Sequence, residues 1–139
     1  MGRKLGLTLE QVVEAAAEIA DRDGLGALSL ASVAATLGVR SPSLYNHVEG
    51  LAGLRRQLTL HASSLLSAEL ADSVDGLDAT EALRAVAEQL RSFAHRHPGL
   101  YDSLLPAPTP DEDPELAAAL GESVSVVGSV LAGMDVAPT

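Results

Sequence analysis

The sequence predicts an all-α chain, a small three-helix unit followed by a longer helical body, and three observations lead there. Apolar residues make up 47% of the chain but aromatics only 2%, so the core must be built from Leu, Val and Ala. Such a composition favours helices over a sandwich or barrel, Leu and Ala being strong helix formers. Apolar residues also recur at i, i+3, i+4 and i+7 behind polar capping residues in several separate stretches. Nowhere do apolar and polar residues alternate as in a half-buried strand, and no segment repeats.

In chain order, residues 1–7 form a short arm with two cations, Arg3 and Lys4, and two glycines. Thr8 followed three residues later by Gln11 is a capping-box pattern. Behind it Leu9, Val12, Val13, Ala16, Ile19 and Ala20 share one helical face until Gly24. A second, short helix is expected after Ser29, with Leu30, Val33, Ala34 and Leu37 inward and Gly38 at its end. A third follows within four residues, with Ser41 as the expected cap and Pro42 at the first helical position.

Gly50 punctuates the start of a longer helix running to about Asp72, so the two units are placed at residues 1–50 and 51–139. Asp78 and Glu81 repeat the capping-box spacing before a helix with Leu83, Val86, Ala87, Leu90, Phe93, Ala94 and His97 on one face. Pro98 and Gly99 break that helix, and Leu100 to Leu105 suit a short one. Residues 106–114 hold four prolines and three acids, a pattern expected of a solvated loop. A last helix from about Glu115 is expected to bury Leu116, Leu120, Val124, Val127 and Leu131.

Composition excludes several classes of function. Without cysteine there is no disulfide framework, thiolate chemistry or zinc finger. The uninterrupted apolar runs are short and the start lacks a basic-plus-apolar signal pattern, so a cytoplasmic protein without a membrane partner is expected. A net charge of −10 argues at first against nucleic acid. Yet residues 1–60 balance six Lys/Arg against six Asp/Glu, while residues 61–139 set three Arg against thirteen acids. The acid belongs to the body, and the distribution matters more than the total.

Residues 28–54 (LSLASVAATLGVRSPSLYNHVEGLAGL) carry the functional signal. Two short helices joined by a tight glycine-containing turn make a helix-turn-helix. Ala34 is small enough for a close crossing, Gly38 can take the positive φ of the turn, and Val39, Leu44 and Val48 anchor the second helix. The opposite side of that helix then offers Arg40, Ser41, Ser43, Tyr45, Asn46 and His47, hydrogen-bonding side chains on a rod slim enough for the major groove.

These residues resemble the tetracycline-repressor (TetR) family of bacterial regulators. The resemblance rests on a first helix ending near Gly24, on Leu28 to Leu30, Val33 with Ala34, Leu37 to Val39, and above all the run from Ser41 to Val48 with its Leu-Tyr-x-His-Val string. It covers roughly residues 8–58, and His95 to Tyr101 is similar to a segment of the sensing domain in one branch of the family. It implies a helix-turn-helix DNA-binding domain followed by a helical ligand-binding and dimerisation domain. It further implies that Ser41, Pro42, Ser43, Asn46 and His47 meet base edges, while Tyr45 and the helix start at Ser29 and Leu30 meet phosphates. Arg3 and Lys4 are candidate minor-groove or phosphate contacts. The family usually has Lys where this chain has Leu51, and Arg55 and Arg56, one turn on, are the candidates to replace it.

The implied protein is a homodimeric repressor on double-stranded operator DNA, released by a small apolar effector. The family continues with two more long helices, so the body is expected to be truncated at its C-terminal end. His61, Leu65, Phe93, Tyr101 and Leu104 are the expected ligand pocket. His95 and His97 stand at i and i+2 of a helix and point to different faces, so no metal site is expected. No nucleophile–base pair, glycine-rich phosphate loop or paired-carboxylate signature stands out, which leaves no catalytic residue and no cofactor. The alternative is a helical interaction module or an enzyme with a vestigial helix-turn-helix.

Overall fold

The computed structural model describes residues 6–105 and 107–134. Arg3 and Lys4 lie outside them. Among the described residues all regular structure is helical: α1 (Leu9–Asp23), α2 (Leu30–Leu37), α3 (Gly50–Val74), α4 (Ala79–Arg96), α5 (Pro98–Ser103) and α6 (Pro114–Ala132), with 3₁₀ turns at Leu25–Ala27 and Ser41–Asn46.

Local chemistry accounts for the ends. The Thr8 hydroxyl accepts from the Gln11 N–H at 3.2 Å while Gln11 Oε1 accepts from the Thr8 N–H at 2.9 Å, the full capping box. Ser29 and Ser32 make the same reciprocal pair at the start of α2, with serine doing the work of the usual Glu or Gln. Gly38 sits at φ 67°, and the N–H groups of Gly38 and Val39 turn back onto the carbonyls of Ala35 and Ala34. Asp78 caps α4 by accepting from the Glu81 N–H.

α3 is the spine. Leu54, Leu58, Ala62, Leu66 and Leu70, each four residues from the last, are all buried, and α3 packs along both α4 and α6. α1 lies across α2, α3 and α5. The buried residues form one cluster running from Val12 to Val130, so apolar packing continues across Gly50, where α3 begins.

Two expectations about the acidic loop and the last helix are corrected. Asp113 is not merely solvated charge. Its carboxylate caps α6 through the Leu116 N–H at 3.0 Å and pairs with Arg56 of α3 at 2.6 Å. Ser63 then donates to the Ala119 carbonyl, and Ser67 and Ser123 share a hydrogen bond, both at 2.7 Å, which fastens one side of α6 to α3. That side buries Leu116 and Val130, whereas Val124 stays 70% and Leu131 50% exposed. α6 has neighbours in α3 and α4 alone among the major contacts, and one stripe of its surface suffices to meet them. By length and composition α6 could cross a membrane.

Candidate nucleic-acid interface

The second helix of the helix-turn-helix is wound as a 3₁₀ helix, not as the α-helix its spacing suggests, and this changes which side chains face out. Residues three apart eclipse one another in a 3₁₀ helix, which makes it triangular in section. Ser41, Leu44 and His47 share one edge; Leu44 is fully buried, and Ser41 and His47 are half-buried beside it. Pro42 with Tyr45, and Ser43 with Asn46, form the two exposed edges. Tyr45 is 62% exposed, so its ring does not cover the core. Ser41 is also not the cap: Arg40 holds that position and makes no side-chain cap bond, since a guanidinium has no acceptor to offer, and Pro42 fixes the first turn.

The rest of the unit holds this face in place. Val33 and Ala34 of α2 and Val48 behind the 3₁₀ helix are buried with Leu44. At the start of α2 the Ser32 and Val33 amides are taken by Ser29, which leaves those of Leu30 and Ala31 without intrahelical partners. Such amides suit a phosphate. The Ser29 hydroxyl oxygen accepts in its cap and its backbone N–H is taken by Ser32, which leaves its O–H to donate, while the Leu30 side chain packs against the core and offers only its backbone. Arg40 and Arg55 are exposed. Arg56, the other candidate to replace the missing Lys at Leu51, is held by Asp113 and by Glu115 at 3.3 Å. These carboxylates raise its pKa further and tie it to α6.

The five residues expected to line a ligand pocket come from α3, α4 and the segment of α5. Phe93 is fully buried against the His97 ring, Leu65 and Leu104 pack half-buried on the core, and Tyr101 is 36% exposed. His61 lines a groove of about 390 Å³ between α1 and α3, opposite Glu10 and Glu14. A larger opening of about 510 Å³ lies where the ends of α3, α4 and α6 meet, lined by Val74, Leu77, Ala82, Val126 and Val130 among others. Periodicity within one helix carries no signal for a space made by three helix ends. No cluster of three potential metal ligands occurs among the described residues.

Comparison with known proteins agrees with this architecture. A family model described as "Tetracyclin repressor-like, C-terminal domain" matches residues 83–139. An HTH-type transcriptional regulator of Mycobacterium tuberculosis, Rv0681, is 34% identical over 137 residues, 97% of this chain and 63% of that protein. YobS, an HTH-type transcriptional regulator of Bacillus subtilis, is 39% identical over 105 residues, 76% of this chain and 55% of its own length. The chain is thus similar to HTH-type transcriptional regulators along its length, and its second part to the tetracycline-repressor-like C-terminal domain.

The HTH-type transcriptional repressor DrrR1 of Streptomyces coeruleorubidus is 43% identical over 99 residues, 71% of this chain and 36% of that protein. The TetR-family regulator PfmR of Thermus thermophilus has the same fold, with a TM-score of 0.65 at 22% identity over 87% of this chain and 68% of the other. So does the fatty acid degradation regulator FadR of Bacillus halodurans, with a TM-score of 0.64 at 15% identity over 94% and 69%. The matched part of the chain thus spans 36–63% of the length of the three curated relatives.

Proposed function

We propose that residues 1–50 are the DNA-reading head of a transcriptional repressor and residues 51–139 part of its regulatory body, the whole acting in the cytoplasm. The observation that carries this reading is the 3₁₀ helix: Ser43, Tyr45 and Asn46 stand exposed on a short rigid element whose Leu44 is fully buried. Ser43 and Asn46 on one edge suit base edges in the major groove, and Tyr45 with Arg40, Arg55 and the Leu30 and Ala31 amides suits the flanking phosphates. The repressor is a homodimer, whose two heads must stand about 34–36 Å apart to enter successive major grooves. A small apolar effector bound by the body favours a spacing that does not fit, and so releases the operator.

The test is fluorescence anisotropy with duplex DNA from beside the chain's own gene, at two salt concentrations. Binding should weaken steeply with salt and should prefer this DNA over a scrambled duplex. Tyr45→Ala combined with Asn46→Ala should lower the preferred affinity by about tenfold or more, with the thermal transition kept. Equal affinity in the double variant would refute the assignment of this face. The same assay with apolar small molecules tests the effector, and undiminished binding with all of them would remove that half of the proposal.

A further inference from the structure

Among the described residues, side-chain hydrogen bonds between head and body gather at one joint. Asp21, near the end of α1, aims its carboxylate at the start of α5: Oδ1 accepts from the N–H groups of Gly99 and Leu100, both at 3.0 Å. Oδ2 lies 2.7 Å from Nδ1 of His97. An ionised carboxylate can only accept, so Nδ1 carries the proton of that bond. His97 occupies the N-cap position of α5 and makes no side-chain cap bond of its own. The acceptor that α5 needs at its second and third amides is therefore supplied from α1, by a residue of the other unit.

The contact is tight as well as polar. A Cβ added at Gly99 would stand 2.2 Å from the carbonyl carbon and oxygen of Ala20, so α5 rests directly on the backbone of α1. Leu100, the next residue, is buried. At its far end α5 is held by α3, where the Thr59 hydroxyl lies 2.9 Å from the Ser103 carbonyl. α3 in turn begins at Gly50, four residues after the 3₁₀ helix ends. α5 is thus a strut pinned to α1 at one end and to α3 at the other, with the His97 ring leaning on Phe93 of the core.

We propose that Asp21 and Gly99 are positioning residues that set the angle of the DNA-reading head on the body. Through them a shift in packing around α5 reaches α1 and the 3₁₀ helix. The regulatory meaning of this joint rests on the DNA-binding reading above; its geometry does not.

The chain has no cysteine, so a pair introduced by Ala35→Cys on α2 and Glu88→Cys on α4, both exposed positions, can carry two spin labels cleanly. Pulsed electron resonance on the full chain, with the doubly labelled chain diluted into excess unlabelled chain so that only distances within one subunit are read, should give one narrow head–body distance. Asp21→Ala should broaden it. Asp21→Asn, which keeps an oxygen for the two amides, should restore it. Gly99→Ala should displace the mean, because the new methyl cannot coexist with Ala20 where it stands. A clamp that only adds stability would lower the melting temperature of Asp21→Ala and leave the distance alone.

An unchanged distribution in helical Asp21→Ala overturns the proposal, and this arm decides the matter if Gly99→Ala does not fold. Where the duplex assay shows binding, Asp21→Ala should weaken it by about fivefold or more and Asp21→Asn should not. Absence of DNA binding would strike the functional reading while leaving the distance result intact.

Discussion

Two exposed surfaces of this chain are made of opposite materials. On the 3₁₀ helix, Ser43, Tyr45 and Asn46 face solvent above a fully buried Leu44, and α2 packs against the apolar side. On α6, Val124 and Leu131 face solvent while polar bonds from Ser63, Ser67 and Arg56 hold the other side to α3. Helical periodicity reads much the same in both. What differs is closure: the 3₁₀ helix seats its apolar edge fully in the shared core, and α6 is packed on one stripe. A polar face over a finished core can meet a hydrated polyanion without disturbing the fold. An apolar face lacks hydrogen-bonding groups for such a partner.

The largest effect that tests this contrast is a pair of leucine truncations. Leu44→Ala empties a fully buried site and should cost about 2–5 kcal/mol. Leu131→Ala removes a side chain already half in water and should stay within about 0.5 kcal/mol. Urea midpoints of the two variants measure the difference. Equal costs would mean that α6 is closed by contacts as extensive as those of the head.

A smaller effect probes the caps that finish the head. Ser29→Ala removes the acceptor for the Ser32 N–H and should cost about 1 kcal/mol. Amide exchange at Ser32 should accelerate more than exchange at Leu54 in the middle of α3. Uniform acceleration would show that the cap acts only through global stability.

How much of this was legible in the residues follows the same contrast. Thr8 with Gln11, Gly24, Gly38 and the anchors Leu44 and Val48 were readable because each acts on neighbours a few residues away. The class of the fold was readable for the same reason. The 3₁₀ winding was not, since Ser41 to Asn46 has a spacing compatible with either helix, and the choice alters the exposure of Ser41 and His47. The reach of Asp21 to Gly99 and of Arg56 to Asp113 was invisible as well. Both pairs are brought together by tertiary packing, and neither a lone Asp nor a lone Arg names its partner. A ligand pocket was not legible for a related cause: Phe93 and Leu65 sit on apolar faces, and periodicity alone cannot separate a core lining from a cavity lining.

The smallest effect concerns the bond that seats α6. The Arg56 guanidinium, with help from the Leu116 N–H, pulls the Asp113 carboxyl from its ordinary 3.8 down to about 2. A carboxyl whose folded pKa is depressed contributes stability that is complete above its unfolded value. That contribution is lost as pH falls from near 4 toward 2. Asp113→Asn keeps an N-cap oxygen for Leu116 but not the ion pair, so it separates the two roles. Wild type should melt higher than the variant at neutral pH, and the two curves should draw together as pH falls from 4 to 2 and converge below it. The gap should be small and should shrink with salt, because the pair is partly exposed to solvent. Parallel melting curves from pH 6 to pH 2 would show that α6 is seated by its cap and by Ser63 and Ser67 without the charge.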